Sequence, residues 1–491
     1  MAQPKSNKPY AASFKLKSIE LYKARDAETV FVNIMSLVTH FQYHEDIMWP
    51  SYGATMVVID NAQNLVSSMP IQGFERVVVL LEDINGDEYE YNFRVWTVTN
   101  RANQDRRQMY TLGLISEQGL FNEGLRVNST QKGEISQVVR NVMKTYLNSE
   151  LDDELVEESK THVKVLPTKK SPFALIRSLQ TKAVPAKQYK MSRETGGGTV
   201  WNDKARVATG MSESEWEDYK SDIEKATMDI AKGTAGYLFF QTYRGYVFKS
   251  FDGLASAKPK KFDNNGDPVQ FKYVPGKVDY ESLYKIQEVV FSQEINMMEK
   301  LREGAYSSVC CYFNINTGKY TERVYSLEDT WNDMVHLGSQ TDLPVGQKTL
   351  SKYPTRVMST VVNHESWNMG EGIADSTDEN RDSTFEYTDN QMDYLSQSLA
   401  RAGIMFNQQL TISLTGHLDL SAGDLIEIRI PNQVEDQSRD DERYDPEHSG
   451  TYLIKKLNHQ FNVLEQTVYT VLDLIRDSYG IKERESNVLL Y

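Results

Sequence analysis

The strongest constraint on this chain is a turn. Asn85-Gly86 lies between two runs, residues 77–81 and 89–96, that are dominated by β-branched and aromatic residues. Asn-Gly adopts the positive-φ backbone of tight hairpins at little cost, so the two runs are predicted to pair as antiparallel strands. Similar runs cover 14–21, 30–40, 54–60 and 109–116, with turn residues between them. Short strands in such succession suggest a barrel or small sandwich over residues 1–125.

Helical periodicity begins after Gly133. Ile135, Val138, Val139, Val142, Met143, Tyr146 and Leu147 recur at the spacing that places them on one helical face. An acidic loop over 150–158 follows. Ser171-Pro172 then supplies an N-cap and a first helical position for a second helix, with Phe173, Leu175, Ile176 and Leu179 inward. Residues 126–284 therefore read as a mixed α/β region. Within it, 190–233 reads as an insertion: Gly196-Gly197-Gly198 breaks the chain, and Ser212 with Glu215 forms a capping box for a charged helix. Residues 237–241 and 246–251 flank Arg244-Gly245 as an aromatic hairpin. Further strands are expected at 286–291 and 307–314, with a helix at 294–303 between them. Residues 317–388 are polar, with least apolar periodicity at 363–384. A helix over 389–402, with Met392, Leu395 and Leu399 inward, leads into strands at 409–414, 425–430, 450–456 and 467–474. Residues 477–491 form a tail.

Charge and cysteine content limit the function. Lys+Arg 54 against Asp+Glu 69 leaves a formal charge of −15, the wrong sign for a non-specific nucleic-acid binder. Cys310 and Cys311 are adjacent and fall on opposite faces of a strand, so they read as reduced packing thiols of a chain assembled in a cytosol. The polar N-terminus lacks the apolar core of a signal peptide, and no run approaches a membrane span. A soluble chain is expected.

Tests for chemistry fail. Asp83-x-Asn85-x-Asp87 and Asp263-x-Asn265-x-Asp267 imitate the start of a calcium loop, but the sixth position is Glu88 in one and Pro268 in the other, and the twelfth is Arg94 and Val274. Both read as turns. His40, His44 and Glu45 lie in a strand-like alternation, so the two rings do not meet as on a zinc-binding helix. No P-loop, dinucleotide fingerprint or nucleophile elbow is present. The expectation is a non-enzymatic protein with no cofactor, no metal and no catalytic residue.

The most informative segment is 410–474. Leu414-Thr415-Gly416-His417-Leu418-Asp419-Leu420 leads into Ala422-Gly423-Asp424 and Leu425-Ile426-Glu427-Ile428-Arg429-Ile430. After the acidic loop 435–448 come Ser449-Gly450-Thr451-Tyr452-Leu453-Ile454 and Leu457-Asn458-His459. This arrangement resembles the baseplate hub proteins of contractile-tailed bacteriophages. In that family a strand ending in Gly, an Ala/Pro-Gly-Asp turn and a Ser-Gly-Thr/Lys-Tyr-Leu-Ile strand followed by His build the second of two tube-like barrels. The aromatic hairpin at 237–250 and the opening strands, with Tyr52-Gly53-Ala54, are similar to the family's hairpin and first barrel. Residues 190–233 and 363–384 have no counterpart there.

The resemblance implies an α+β, mainly β chain: a first tube-like barrel (1–125), the mixed α/β domain, a discontinuous second barrel (285–316 plus 389–476) and an inserted polar region (317–388). It implies a homotrimer whose barrels form a pseudo-sixfold ring joining a sixfold tail tube to a threefold central spike, in the virion baseplate, with DNA passing through without specific binding. A tail tube protein, a central spike protein, a tape-measure protein and wedge proteins are the implied partners. The structural or interface candidates are Leu414, Gly416, Leu420, Gly423, Asp424, Gly450, Tyr452 and His459, with Trp201 and Trp216 as anchors onto another subunit or tail protein. A hub of an injection system or tailocin is the near alternative. A tail-borne cell-wall hydrolase is the alternative of another class, disfavoured because 190–233 is short for a domain.

Overall fold

The computed structural model describes residues 12–23, 31–60, 71–104, 107–186, 235–260, 269–274, 282–293, 296–313, 320–331, 334–338, 354–361, 389–432, 444–445 and 447–480. The protein is mainly β with a minority of helix. The expected insertion 190–233, the stretch 363–384, the second Asp-x-Asn-x-Asp turn, Trp201 and Trp216 lie outside the described residues.

The first β unit contains β1 (Lys15–Tyr22), β2 (Phe31–Asn33), β3 (Val38–Asp46), β4 (Gly53–Asp60), β5 (Arg76–Glu82), β6 (Glu88–Gln104) and β7 (Arg107–Ile115). They are antiparallel in the order β2-β1-β5-β6-β7-β4-β3. Asn85-Gly86 does turn β5 into β6. Gly86 has φ +91, and the Asp83 carboxylate accepts from the amides of Asn85 (2.8 Å) and Asp87 (2.9 Å). The inward residues alternate along each strand, as the period of two requires, and bury Phe41, Tyr43, Tyr91, Phe93 and Tyr110.

The α/β region follows: α1 (Glu117–Gly124), β8 (Gln131–Glu134), α2 (Ile135–Leu147), β9 (His162–Val165), α3 (Pro172–Gln180), β10 (Tyr237–Thr242), β11 (Gly245–Ser250) and α4 (Phe251–Ala255). Helix α2 buries the predicted face and stops at Asn148, which is left-handed with φ +47. Ser171 caps α3 by accepting from the Ala174 amide at 3.4 Å, with Pro172 in the first turn. These helices and the β10–β11 hairpin share one core that includes Phe173, Phe239, Tyr246 and Phe248.

The rest comprises β12 (Gln270–Tyr273), β13 (Lys285–Ile286), β14 (Glu288–Gln293), α5 (Met297–Glu303), β15 (Ser307–Phe313), β16 (Tyr320–Ser326), α6 (Leu327–Thr330), β17 (Arg356–Val361), α7 (Asp389–Met405), β18 (Gln408–Thr415), β19 (Leu425–Arg429), β20 (Gly450–Asn462) and β21 (Thr467–Arg476). Strand β15 does not join β18–β21. It pairs with β16 and β17 in a separate three-stranded sheet beside α5 and α7. Cys310 and Cys311 lie on β15 as free thiols. The presumed tail begins inside the protein, because Asp477 and Ser478 are fully buried.

The two β units are joined by the long β20–β21 hairpin. The base of β20 pairs with β19 through Gly450 to Leu453, and its tip pairs with β3 through Lys456 to Asn462. One sheet of 14 strands therefore runs through both units, over one continuous core. No ladder closes either unit into a barrel among the described residues. Short contacts draw the ends together: Val468 N donates to Ala12 O at 2.8 Å in the first unit, and Gln287 N to Ser413 O at 2.8 Å in the second. Among the described residues no helix is long and apolar enough to cross a membrane.

Candidate functional site

The sequence-selected residues divide into three places. Leu414, Gly416, Leu420, Gly423 and Asp424 meet in the turn between β18 and β19. Leu414 and Leu420 are buried, while Gly416 (φ +75) and Gly423 (φ +87) supply left-handed backbone. Asp424 accepts two bonds from Arg244 in the β10–β11 turn, at 2.9 and 2.5 Å, and one from the Ser421 amide at 2.9 Å. Arg244 also donates to Asp419 O at 2.9 Å. This bidentate pair clamps the aromatic hairpin onto the second β unit. Gly423 is fitted to the same contact: a Cβ there stands 2.8 Å from Phe240 Cζ, and Phe240 is fully buried. Gly423→Ala combines left-handed strain with overpacking and is expected to cost about 2–4 kcal/mol. A denaturant midpoint equal to that of the wild type contradicts this.

Gly450 and Tyr452 lie at the base of β20. The Tyr452 hydroxyl is 3.1 Å from Gln408 Oε1 and 3.0 Å from His448 O. Arg476 closes the same region, with its guanidinium over the Tyr452 ring and bonds to Gln408 Oε1 (2.6 Å) and Ser449 O (2.9 Å). His459 lies apart, at the hairpin tip in the core of the first unit. Its Nδ1 is 2.8 Å from Thr470 Oγ1, and Thr470 donates in turn to Gly416 O. Nδ1 therefore carries the hydrogen, and burial lowers the ring to about 3, so it is neutral. His459 is a packing residue, as is His417, which is buried at φ +67 against Leu283 O.

Two polar centres escaped sequence reading. The first is Glu45, which is buried and accepts from Tyr43 Oη (2.6 Å), the Tyr243 amide (2.8 Å) and the Ala422 amide (2.8 Å). A signal existed: Phe41, Tyr43 and Glu45 alternate, so a carboxylate falls on an inward position. The second centre has no local signal. Arg401 of α7 donates to Asp477 at 2.7 Å and Asp252 at 2.8 Å. His336 Nδ1 lies 2.8 Å from Asp477, and the Leu337 amide donates to the same carboxylate at 3.0 Å. Burial alone would raise the Asp477 carboxyl, but Arg401 and His336 outweigh it and hold the group well below the usual carboxylate range. These four side chains come from sequence positions up to 225 residues apart (477 − 252). They tie together α4, the 334–338 segment, α7 and the end of β21. Both centres fasten elements together, and among the described residues no group of three or more His, Cys, Asp or Glu is placed to hold a metal ion.

No family model and no curated protein matches the sequence. Solved structures do resemble the fold. The tail protein from Neisseria meningitidis MC58 superposes with a TM-score of 0.46 at 8% identity, covering 96% of this chain and 100% of that one. The 43 kDa tail protein of prophage MuSo2 from Shewanella oneidensis gives 0.46 at 9% identity, over 95% and 100%. Prophage tail protein gp18 from Listeria monocytogenes EGD-e gives 0.40 at 9% identity, over 93% and 94%. All three are tail proteins. At these identities and scores the likeness assigns no residue a role and this chain no partner.

Proposed function

We propose that this chain is a structural hub of a phage tail baseplate, a homotrimer whose paired β units make a pseudo-sixfold ring between the tail tube and the central spike. The observation that supports the reading most is the shared β20–β21 hairpin. Its tip pairs with β3 while its base pairs with β19, so one hairpin carries strand pairing into both β units of the chain. A chain that contributes two joined wall segments is what a threefold ring needs to meet a sixfold tube. The residue order of the 414–459 segment, with its hub-like turn and strands, is the second support. In this reading the protein is non-catalytic and resides in the virion, with the tape-measure and wedge proteins as further neighbours.

The charge of −15 fits the same role, since an acidic channel wall repels phosphates and lets DNA leave. A mapped channel lined chiefly by Lys and Arg contradicts that part. For the assembly as a whole, the expected result is three times the chain mass by light scattering, with rings in electron micrographs. A stable monomer that forms no ring at high concentration overturns the hub. Genes for tail tube and capsid beside this one, against tube and sheath genes without a capsid, separate a phage from a tailocin or injection system.

A further inference from the structure

We propose that Glu45 is a proton-linked latch between the aromatic hairpin and the 415–424 turn: the junction is held while the carboxyl carries its proton and loosens when the carboxyl ionises. Its two oxygens receive bonds from three separate elements: Tyr43 of β3, Tyr243 of the hairpin turn and Ala422 of the second β unit. No Lys, Arg or His forms an ion pair with it among the described residues, and the nearby Arg244 is engaged with Asp424. The titratable groups that face it are Tyr43 from β3, Tyr52 from the β3–β4 turn, Tyr91 from β6, Tyr243 from the hairpin and Asp424 from the turn. None of them supplies positive charge.

A desolvated carboxylate without a counter-ion is a costly thing to bury, and separating the hairpin from the turn lets water reach it. The protonated carboxyl keeps every bond in place. Oε1 has two lone pairs for Tyr43 and Tyr243, and the hydroxyl oxygen retains one for the Ala422 amide.

Burial raises the carboxyl from 4.5 to about 7, against the bonds from Tyr43, Ala422 and Tyr243, which favour the charge. The closed junction therefore holds its proton more tightly than the open one. Closure is favoured at low pH and weakens as pH rises through about 7. The interval from 4.5 to about 7 limits the whole effect to about 300-fold in the ratio of closed to open.

The test is hydrogen exchange of the Tyr243 and Ala422 amides in the full chain, from pH 5 to pH 8, corrected for intrinsic exchange. Wild type is expected to lose protection about 70-fold over that range, and E45Q to show a flat profile because glutamine does not ionise. Tyr43→Phe removes a bond that favours the charge, so its midpoint moves to higher pH. This variant decides the matter if E45Q does not fold. Flat protection in the wild type, the same slope in E45Q, or a midpoint that stays put or falls in Tyr43→Phe each overturns the latch. None of these outcomes bears on the trimeric hub, which rests on other residues.

Discussion

Asp477→Asn is expected to lower stability by about 3–5 kcal/mol at neutral pH. It removes the carboxylate that Arg401 and His336 both contact and leaves Asp252, which pairs with Arg401, as the remaining carboxylate of the buried set. Asparagine also turns an amide toward donors, so the Arg401, His336 and Leu337 contacts cannot all be kept. The loss is measured as a shift in denaturant midpoint and as faster exchange at the Leu337 amide. A shift below about 1 kcal/mol means that Asp252 carries the network by itself. The pH dependence is a second check. The carboxyl is held below its ordinary range, so its contribution is present above that range and is lost progressively as pH falls beneath it. Asp477→Asn flattens this acid limb. The Glu45 effect runs in the opposite direction, weakening the fold as pH rises toward neutrality, so the two are separable in one titration.

Phe461→Ala is expected to cost about 3–5 kcal/mol, the usual range for emptying a buried phenylalanine site. Phe461 sits at the tip of β20, opposite Phe41 in the register that joins the two β units. Its ring stacks on Phe41 at 5.3 Å and meets Phe14 edge-on at 5.0 Å. The cavity therefore opens between β1, β3 and β20. In addition to the stability loss, protease cutting near the β20–β21 tip is expected to rise, because the pairing with β3 loses a buried cross-strand side chain close to its end. Val357→Ala on the outer face of the small sheet is the control. Val357 is 72% exposed and its truncation is expected to fall within about 0.5 kcal/mol of wild type. Equal losses in the two variants contradict the claim that the hairpin tip fastens the units.

Much of the local structure was legible from residues alone. Asn85-Gly86, the 135–147 face, the Ser171-Pro172 cap and the aromatic pairs around Arg244-Gly245 all act over short spans, where turn chemistry and periodicity decide the outcome. Strand β15 shows the limit. Residues 307–314 were legible as a strand, but pairing with β16 and β17 rather than with β18 depends on which neighbour presents a free edge. Asp424 was legible as a turn residue, yet its partner Arg244 lies 180 positions earlier, and no pattern links the two. Glu45 belongs with His40 and His44 to a spacing that fails as a zinc motif, yet its inward place in the alternation marks it as a buried carboxylate.

Sequence by itself determined the kinds of element, the turns between them and the acidic balance, because each of these follows from neighbouring residues. Only the tertiary structure decided that β20 is long enough to belong to both β units, that Asp477 is a buried anchor rather than the start of a tail, and that Glu45 receives bonds from two distant loops. The physical reason is the same in each case. Strand edges and buried charges are satisfied by whatever the fold brings within about 3 Å of them, and that partner is set by global packing rather than by local pattern.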